Sequence, residues 1–471
     1  MKKFALTVLF ILLASPAWAT TYFLAPASAG GNDSNNGTSA STPWLSPNHP
    51  VNCGDTITAT PSNAYSASNF GAGKWGAVSC PSANNVAWLT CARFDACKIT
   101  ASGNYGMWVS SNFWGVQGWE ITTSGSFASC FLADPGSASG STIHHIIFAN
   151  NVANVCTDGG FQIVNSGSNS VDYIAIIGNA AYNTTSDSSE CYSGISILTP
   201  KNSDTAAGTH IFVAGNFSWN NFDPSPCAGG TPTDGEGIIL DTLTHYSYTG
   251  QIVVNNNMFL GNGARGWQVV LNNGSSFAPI YAEYNTVYGN GGDSHENSIC
   301  GEMLMNESFG TTFEHNLAMT NRTVGCGSNP VYAFYVSAGN STDVVDFNWG
   351  YSASGTNEIA LGSSGFSYGS NNVFGTNPNF SNASIPGAPS CGSATSVPNC
   401  MATVVANFTP TNAAAKAYGY QIPSTSSTSD PLFPKWLCNV TLPPGLVTMG
   451  CGSGPASSLP APPTNISATV K

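Results

Sequence analysis

One short pattern recurs along this chain: an asparagine preceded, five and three positions earlier, by apolar residues. It reads Ile146 and Phe148 before Asn151, Ile174 and Ile176 before Asn179, Ile211 and Val213 before Asn216, and Ile252 and Val254 before Asn257. Ile280 and Ala282 precede Asn285, while Phe313 and Val345 alone keep the nearer place before Asn316 and Asn348. The asparagines are spaced by 28, 37, 41, 28, 31 and 32 residues. Apolar alternation over so few residues, punctuated by Gly, Asn and Ser, describes half-buried strands rather than helices. Between the copies runs a second strand family: Gly160 to Val164, Gly194 to Leu198, Gly237 to Asp241, Gly266 to Val270 and, more loosely, Gly301 to Met305. A strand motif that stays fixed while loop length varies is the mark of a solenoid. Strands of one family then stack in parallel at ~4.8 Å, one coil above the next. Asparagine tolerates the unusual backbone angles of a tight bend, and stacked amides can bond one another. The expected fold is all-β: a right-handed parallel β-helix with an asparagine ladder inside one turn. An Asn-rich β-sandwich would also show short strands, but has no reason to hold the motif constant across unequal loops.

The chain's ends and cysteines set its compartment. Lys2 and Lys3, the apolar run Phe4 to Ala14, and Ala17-Trp18-Ala19 have the three parts of a secretory signal, so residues 1–19 are expected to be removed. The apolar run is too short to span a bilayer, and no later one approaches the ~20 residues required. All 14 cysteines lie beyond the signal, an even number suited to an oxidising compartment, with Cys91–Cys97 and Cys438–Cys451 as the nearest-neighbour guesses for pairing. The net charge of -13 argues against nucleic acid and anionic membranes as partners, since both call for a basic footprint. With only 7% charged but 42% hydrophobic residues, the chain reads as globular with a neutral polar surface. The expected layout is a β-helix over 20–380, a C-terminal cap over 381–451 that closes the last coil, and a disordered Ser- and Pro-rich tail over 452–471.

The stretch YFLAPASAGGNDSNNGTSASTPW from Tyr22 to Trp44, with Asn377-Pro378-Asn379-Phe380 and Asp430-Pro431-Leu432-Phe433 near the other end, resembles the opening and closing motifs of secreted β-helix proteins of the pectate-lyase-like superfamily. Asp234 to Asp241, Asn255-Asn256-Asn257 and Gly261-Asn262-Gly263-Ala264-Arg265-Gly266 resemble runs common in the same group. The resemblance covers about Tyr22 to Phe433 and implies a secreted, monomeric protein whose partner is an extracellular polysaccharide. It does not transfer catalytic residues: the Gly-His-Gly and paired Asp of polygalacturonases and the Asp-Pro-His-Glu of mannuronan epimerases are both missing.

Candidate chemistry lies where the longest insertion, Phe217 to Thr233, feeds Asp234-Gly235-Glu236-Gly237-Ile238-Ile239-Leu240-Asp241. Three carboxylates so close are conspicuous in this chain, although Asp-Gly is also ordinary turn chemistry. Aligning the second strand family on its glycines puts Gly159, Ser193, Glu236, Arg265 and Cys300 in one column, which makes Glu236 and Arg265 neighbours in an expected exposed ion pair. Gln162, Ser196 and Gln268 then form a wet face able to bond sugar hydroxyls, with Trp219, Phe222, Tyr246, Tyr248 or Trp267 as aromatic platforms. The leading expectation is a lyase that cleaves a uronate-containing glycan by β-elimination. Asp234, Glu236 and Asp241 would hold a Ca²⁺, Arg265 or Lys201 would act as base or charge stabiliser, and Gln162, Lys201, Gln268 and Glu302 would contact substrate. The alternatives are a glycoside hydrolase using two of Asp234, Glu236, Asp241 and Glu302, and a non-catalytic glycan-binding or adhesin-like β-helix.

Overall fold

In the computed structural model the described residues are 19–81, 85–103, 105–125, 128–136, 142–167, 169–185, 191–223, 234–296, 300–322, 324–327, 329–337, 341–353, 358–361, 366–389, 391–421, 432–438 and 440. Residues 1–18 and the tail therefore lie outside them, as does Cys451.

The strand families stack as the repeat demands. Ile146, Ile174, Ile211, Ile252 and Ile280 are in register in a first parallel sheet of 11 strands, running from Thr21–Leu24 to Val344–Asp346. The glycine-led segments form a third sheet, in which Phe161, Ile195, Ile238 and Trp267 are in register. Between these two lies a second sheet of 11 strands that the sequence reading missed. Many of its strands have only three residues, such as Ala180–Tyr182 and Met258–Leu260, too few to show alternation. Each full coil contributes one strand to each sheet, which makes the chain a parallel β-helix, its crossovers taking the right-handed sense that parallel connections adopt. Alternate side chains of all three sheets point inward into one continuous apolar core, with Phe131 and Phe161 stacked ring on ring at 4.7 Å.

The asparagine ladder fills the corner between the first and second sheets and extends one rung further than expected, to Asn372. Each amide donates to the oxygen of the next at 2.9–3.2 Å, from Asn151 through Asn179, Asn216, Asn257, Asn285, Asn316 and Asn348. The residue before each of the seven expected rungs is left-handed: Asn150, Gly178, Gly215, Asn256, Tyr284, His315 and Phe347 have φ between 51° and 68°. The bend that turns the chain inward thus carries a local cost at every coil, and the buried amide ladder offsets it. Tyr284, His315 and Phe347 recover further contact by stacking on one another.

Among the described residues, those after Phe380 do not form a plug on the last coil but run along the outside of the helix as a strap. Val397, Met401, Val405 and Phe408 pack on the outer second sheet against Val152, Ala180, Phe217 and Met258, and Phe433, Trp436, Leu437 and Val440 pack on the outer first sheet. The strap reads the exposed edge of the ladder corner: Asn150 Oδ1 accepts the Val397 N–H at 2.6 Å, and Asn256 Oδ1 accepts the Gln421 N–H at 2.6 Å. The covered faces, with Ala149, Ala175, Ile177, Phe212 and Val253, are too apolar to face water, which is why the strap is there.

Disulfides join Cys53–Cys80, Cys91–Cys97, Cys130–Cys156, Cys300–Cys326 and Cys391–Cys400; Cys191 and Cys438 are bonded too, and no described cysteine is free. No helix among the described residues is long and apolar enough to cross a membrane.

Candidate active site

The corner between the second and third sheets has its own ladder, five residues after the first. Asn221, Asn262 and Asn290 follow Asn216, Asn257 and Asn285, and their amides bond in sequence at 2.9 Å. Residues Asn220, Gly261 and Gly289 just before them are again left-handed. Thr184 begins this ladder through its hydroxyl, and Glu302 ends it, accepting the Asn290 side-chain amide at 2.5 Å and backbone N–H at 3.2 Å. Glu302 is completely buried, and burial pushes its carboxyl up to about 8. The expectation that Glu302 contacts substrate therefore fails: its carboxyl is inside the coil. The register explains the error. Met303 pairs with Trp267, so Glu302 rather than Gly301 occupies the glycine position, and Gly301 rather than Cys300 aligns with Arg265.

Outside this ladder, the chain gathers charge. Glu236 and Arg265 are neighbours on successive coils, with Arg265 Nη1 3.2 Å from Glu236 Oε1. The same nitrogen lies 3.3 Å from Glu296 Oε2. Ser193, one coil below, donates its hydroxyl to Glu236 Oε2 at 2.6 Å and accepts the Glu236 N–H. The ion pair is not on the surface as expected: Arg265 is 3% exposed and both glutamates 0%. Burial, then the negative charge of Asp234, holds the Glu236 carboxyl well above its ordinary range, with Glu296 adding to the rise; Arg265 and Ser193 pull the other way. Asp234 itself is half-exposed and opens this cluster toward solvent. Asp223 is buried beside Gly235, and Asp293 holds the exposed His295 ring at 2.9 Å. Glu296, Asp293 and His295 were overlooked in the sequence, yet Asp293-Ser294-His295-Glu296 places three ionisable residues in four positions.

The remaining expected residues separate from this cluster. Asp241 ends the strand Ile238–Asp241, roughly 16 Å of extended chain beyond Glu236; its carboxyl accepts the Thr242 hydroxyl at 2.7 Å and is raised by burial. Lys201 lies beyond the Asp241 end of the strands, with its ammonium 5.4 Å from the Tyr246 ring. Gln162 and Gln268 are on the outer third sheet as expected, but at 2% and 6% exposure that face is roofed rather than wet. Gln162 Nε2 and Gln268 Oε1 are enclosed and have no hydrogen-bond partner. Trp219, Tyr248 and Trp267 are core residues and offer no platform.

The calcium set does not fit. Asp241 is too far away, and Glu236 spends its oxygens on Arg265 and Ser193. Among the described residues, ligand-type atoms gather only at Asp172, Asp204 and His210. There Asp172 already accepts bonds from Tyr173, Ser203, His210 and Tyr248, and His210 turns its second nitrogen to the Ala206 carbonyl at 2.8 Å. Burial lowers the imidazole's titration, but the Asp172 hydrogen bond and charge outweigh it and the net direction is upward. Both ring nitrogens and both Asp172 oxygens, the atoms a metal ion would need, are thus already engaged.

Fold and site together define a parallel β-helix with a buried Glu–Arg–Glu cluster at one corner. No family model matches the sequence, and no curated protein matches it. Among solved structures the chain is similar to pectate lyase Pel9A, at 18% identity over 69% of this chain and 79% of that one, with a TM-score of 0.39. It is similar to the GH136 lacto-N-biosidase from Eubacterium ramulus at 10% identity, 75% and 68% coverage and a TM-score of 0.39. To the mannuronan C-5 epimerase AlgE6 A-module of Azotobacter vinelandii the values are 13%, 68% and 89%, and 0.25. None of these likenesses is close enough to bear on chemistry, which rests on the chain's own residues.

Proposed function

We propose that this is an exported enzyme that hydrolyses glycosidic bonds in an extracellular polysaccharide, with Glu236 as general acid and Asp234 as general base. The observation that carries the reading is a pair of neighbouring carboxyls in unlike surroundings: Glu236 is enclosed, its carboxyl raised well above the ordinary range by burial and by Asp234, while Asp234 is half-exposed beside it. Environments that push two carboxyls apart assign acid and base roles. Glu236 gives its proton to the departing glycosidic oxygen, Asp234 takes one from the attacking water, and the water oxygen ends on the sugar carbon. Arg265 and Glu296 position Glu236. The β-elimination alternative is disfavoured on two grounds: its calcium ligands do not converge, and Arg265, donating to two carboxylates, has no lone pair with which to take a proton. Paired cysteines support the exported setting.

The test is turnover of a panel of neutral and acidic polysaccharides with chelator present. Saturated reducing ends are expected. Glu236→Gln and Asp234→Asn should each lose about 10²–10⁴-fold in rate, while Asp241→Asn should stay near the parent. Unsaturated uronate products, or activity abolished by chelator, would return the lyase reading. Absence of turnover on every glycan would favour the binding reading.

A further inference from the structure

A different corner of the molecule holds an open cleft. The small loops closed by Cys91–Cys97 and Cys391–Cys400 face each other across a space of about 800 Å³. Its floor is Gln117, Gly118 and Asn150, at the turn between the first and second sheets, whereas Glu236 lies at the turn between the second and third. Both walls are fixed. Asn150 ties down one through Thr395 and Val397, and the Asp95 N–H donates to Gly118 O at 3.1 Å in the other. The volume is in the range of small-ligand sites.

The groups around the cleft indicate its ligand. Asp95 is held at a φ of 58°, an angle that aspartate adopts at some cost. Burial and the neighbouring Glu120 carboxyl, with which it shares a hydrogen bond, raise the Asp95 carboxyl to about 7, while Lys98 Nζ lies 3.8 Å from its Oδ1 and engages Glu120. Arg93, Ser393 and Thr395 are exposed on the walls, and Phe94 is half-buried between them. Arg93 and Lys98 stand against Glu120 and an Asp95 carboxyl raised to about 7, so the cleft has only a small surplus with which to attract an acidic or a basic polymer. What remains is one ring beside an array of neutral donors and acceptors, the Ser393 and Thr395 hydroxyls and the Gln117 and Asn150 amides among them. That combination matches a hydroxyl-rich, uncharged molecule.

We propose that this cleft is a second saccharide site, separate from the Glu236 corner, which takes a short neutral oligosaccharide. It shares with the proposed function only the premise that the ligand is a glycan, and it requires no turnover. The site can anchor a chain whose other portion reaches the acidic corner.

Hydrogen–deuterium exchange on the intact, disulfide-bonded protein tests it, with millimolar cellohexaose, xylohexaose and mannohexaose as neutral probes and hexagalacturonate as the acidic one. At least one neutral probe should slow exchange in peptides covering residues 92–96 and 391–396. The protection should weaken at least about tenfold in probe concentration for Arg93→Ala with Asp95→Asn and persist in Glu236→Gln. The proposal is overturned if no neutral probe protects these peptides, if only hexagalacturonate does, or if protection survives the double substitution or is lost in Glu236→Gln. Polysaccharide turnover by the parent without cleft protection sinks this inference and leaves the hydrolase reading standing; protection without turnover does the reverse.

Discussion

Two asparagine ladders run through this helix, and they differ in how far they repeat. The first passes unbroken from Asn151 to Asn372, each coil supplying the same side chain. The second has asparagine on three rungs only, starts from a threonine and ends on Glu302. In the first, every amide oxygen from Asn179 onward accepts the amide one coil below, and no ionisable side chain takes a rung. At the second, Asp223 and Asp293 follow the rungs within three residues, and Glu236, Arg265 and Glu296 pack outside them. A solenoid corner that repeats strictly is scaffold; one that repeats in part leaves room for charge.

The largest stability effect should come from the charged cluster. Arg265→Ala would leave Glu236 and Glu296 buried without their cation, a change that typically costs about 3–5 kcal/mol. Chemical denaturation of the variant should show that loss, and Arg265→Met combined with Glu236→Gln and Glu296→Gln should restore most of it. An Arg265→Ala protein as stable as the parent would mean that the cluster contributes no more than an exposed pair, of about 0–1 kcal/mol, and the contrast between the corners would collapse.

Glu302→Gln should act in the opposite direction. The folded protein keeps the Glu302 proton up to about pH 8, while the unfolded chain releases it near the ordinary 4.5. Between those values the folded state binds one more proton, so stability from this group is complete below pH 4.5 and declines as pH rises through 8. Glutamine accepts the same two bonds from Asn290 and cannot ionise. The variant should match the parent at pH 4.5 and exceed it at pH 8 or above by on the order of a few kcal/mol. Equal melting curves at both pH values would remove the carboxyl's role as a strained end to the ladder.

The two corners were also unequally legible in the sequence. The first ladder could be read because one residue type recurs beside an apolar alternation long enough to detect. The second repeats at the same intervals five residues later, but Thr184 and Glu302 break its identity, and the three-residue strands between the ladders hide the periodicity. Glu236 and Arg265 came from register alone, because a glycine marks the same place on each coil. Register failed one coil later, where Glu302 replaces the glycine. Burial was beyond the sequence's reach. Whether Gln162 or Arg265 meets water depends on loops of irregular length, and whether residues beyond 380 cap or strap depends on which outer faces are apolar.

The smallest effect gives the most direct comparison of the ladders. Asn257→Ala and Asn262→Ala each remove one rung, and the two positions lie on the same coil. Asn257 Oδ1 accepts from Asn216 and its amide donates to Asn285; Asn262 does the same between Asn221 and Asn290. Both substitutions leave enclosed partners unmet and should cost about 1–3 kcal/mol, read as similar downward shifts in denaturation midpoint. Their effects on turnover should part. The chain beyond Asn257 enters the short strand Met258–Leu260, which carries no charged residue, so the folded fraction should turn over at the parental rate. Asn262 is followed by Gly263, whose N–H donates to Asn221 O at 2.7 Å and whose carbonyl accepts the Asp293 N–H at 2.9 Å, and then by Ala264 and Arg265. A loosened rung there shifts the arginine that holds Glu236, and kcat should fall with it at an unchanged acid limb of the pH profile. Equal loss of activity in the two variants would mean that both ladders serve the fold alone, and equal retention would place the chemistry away from the second corner.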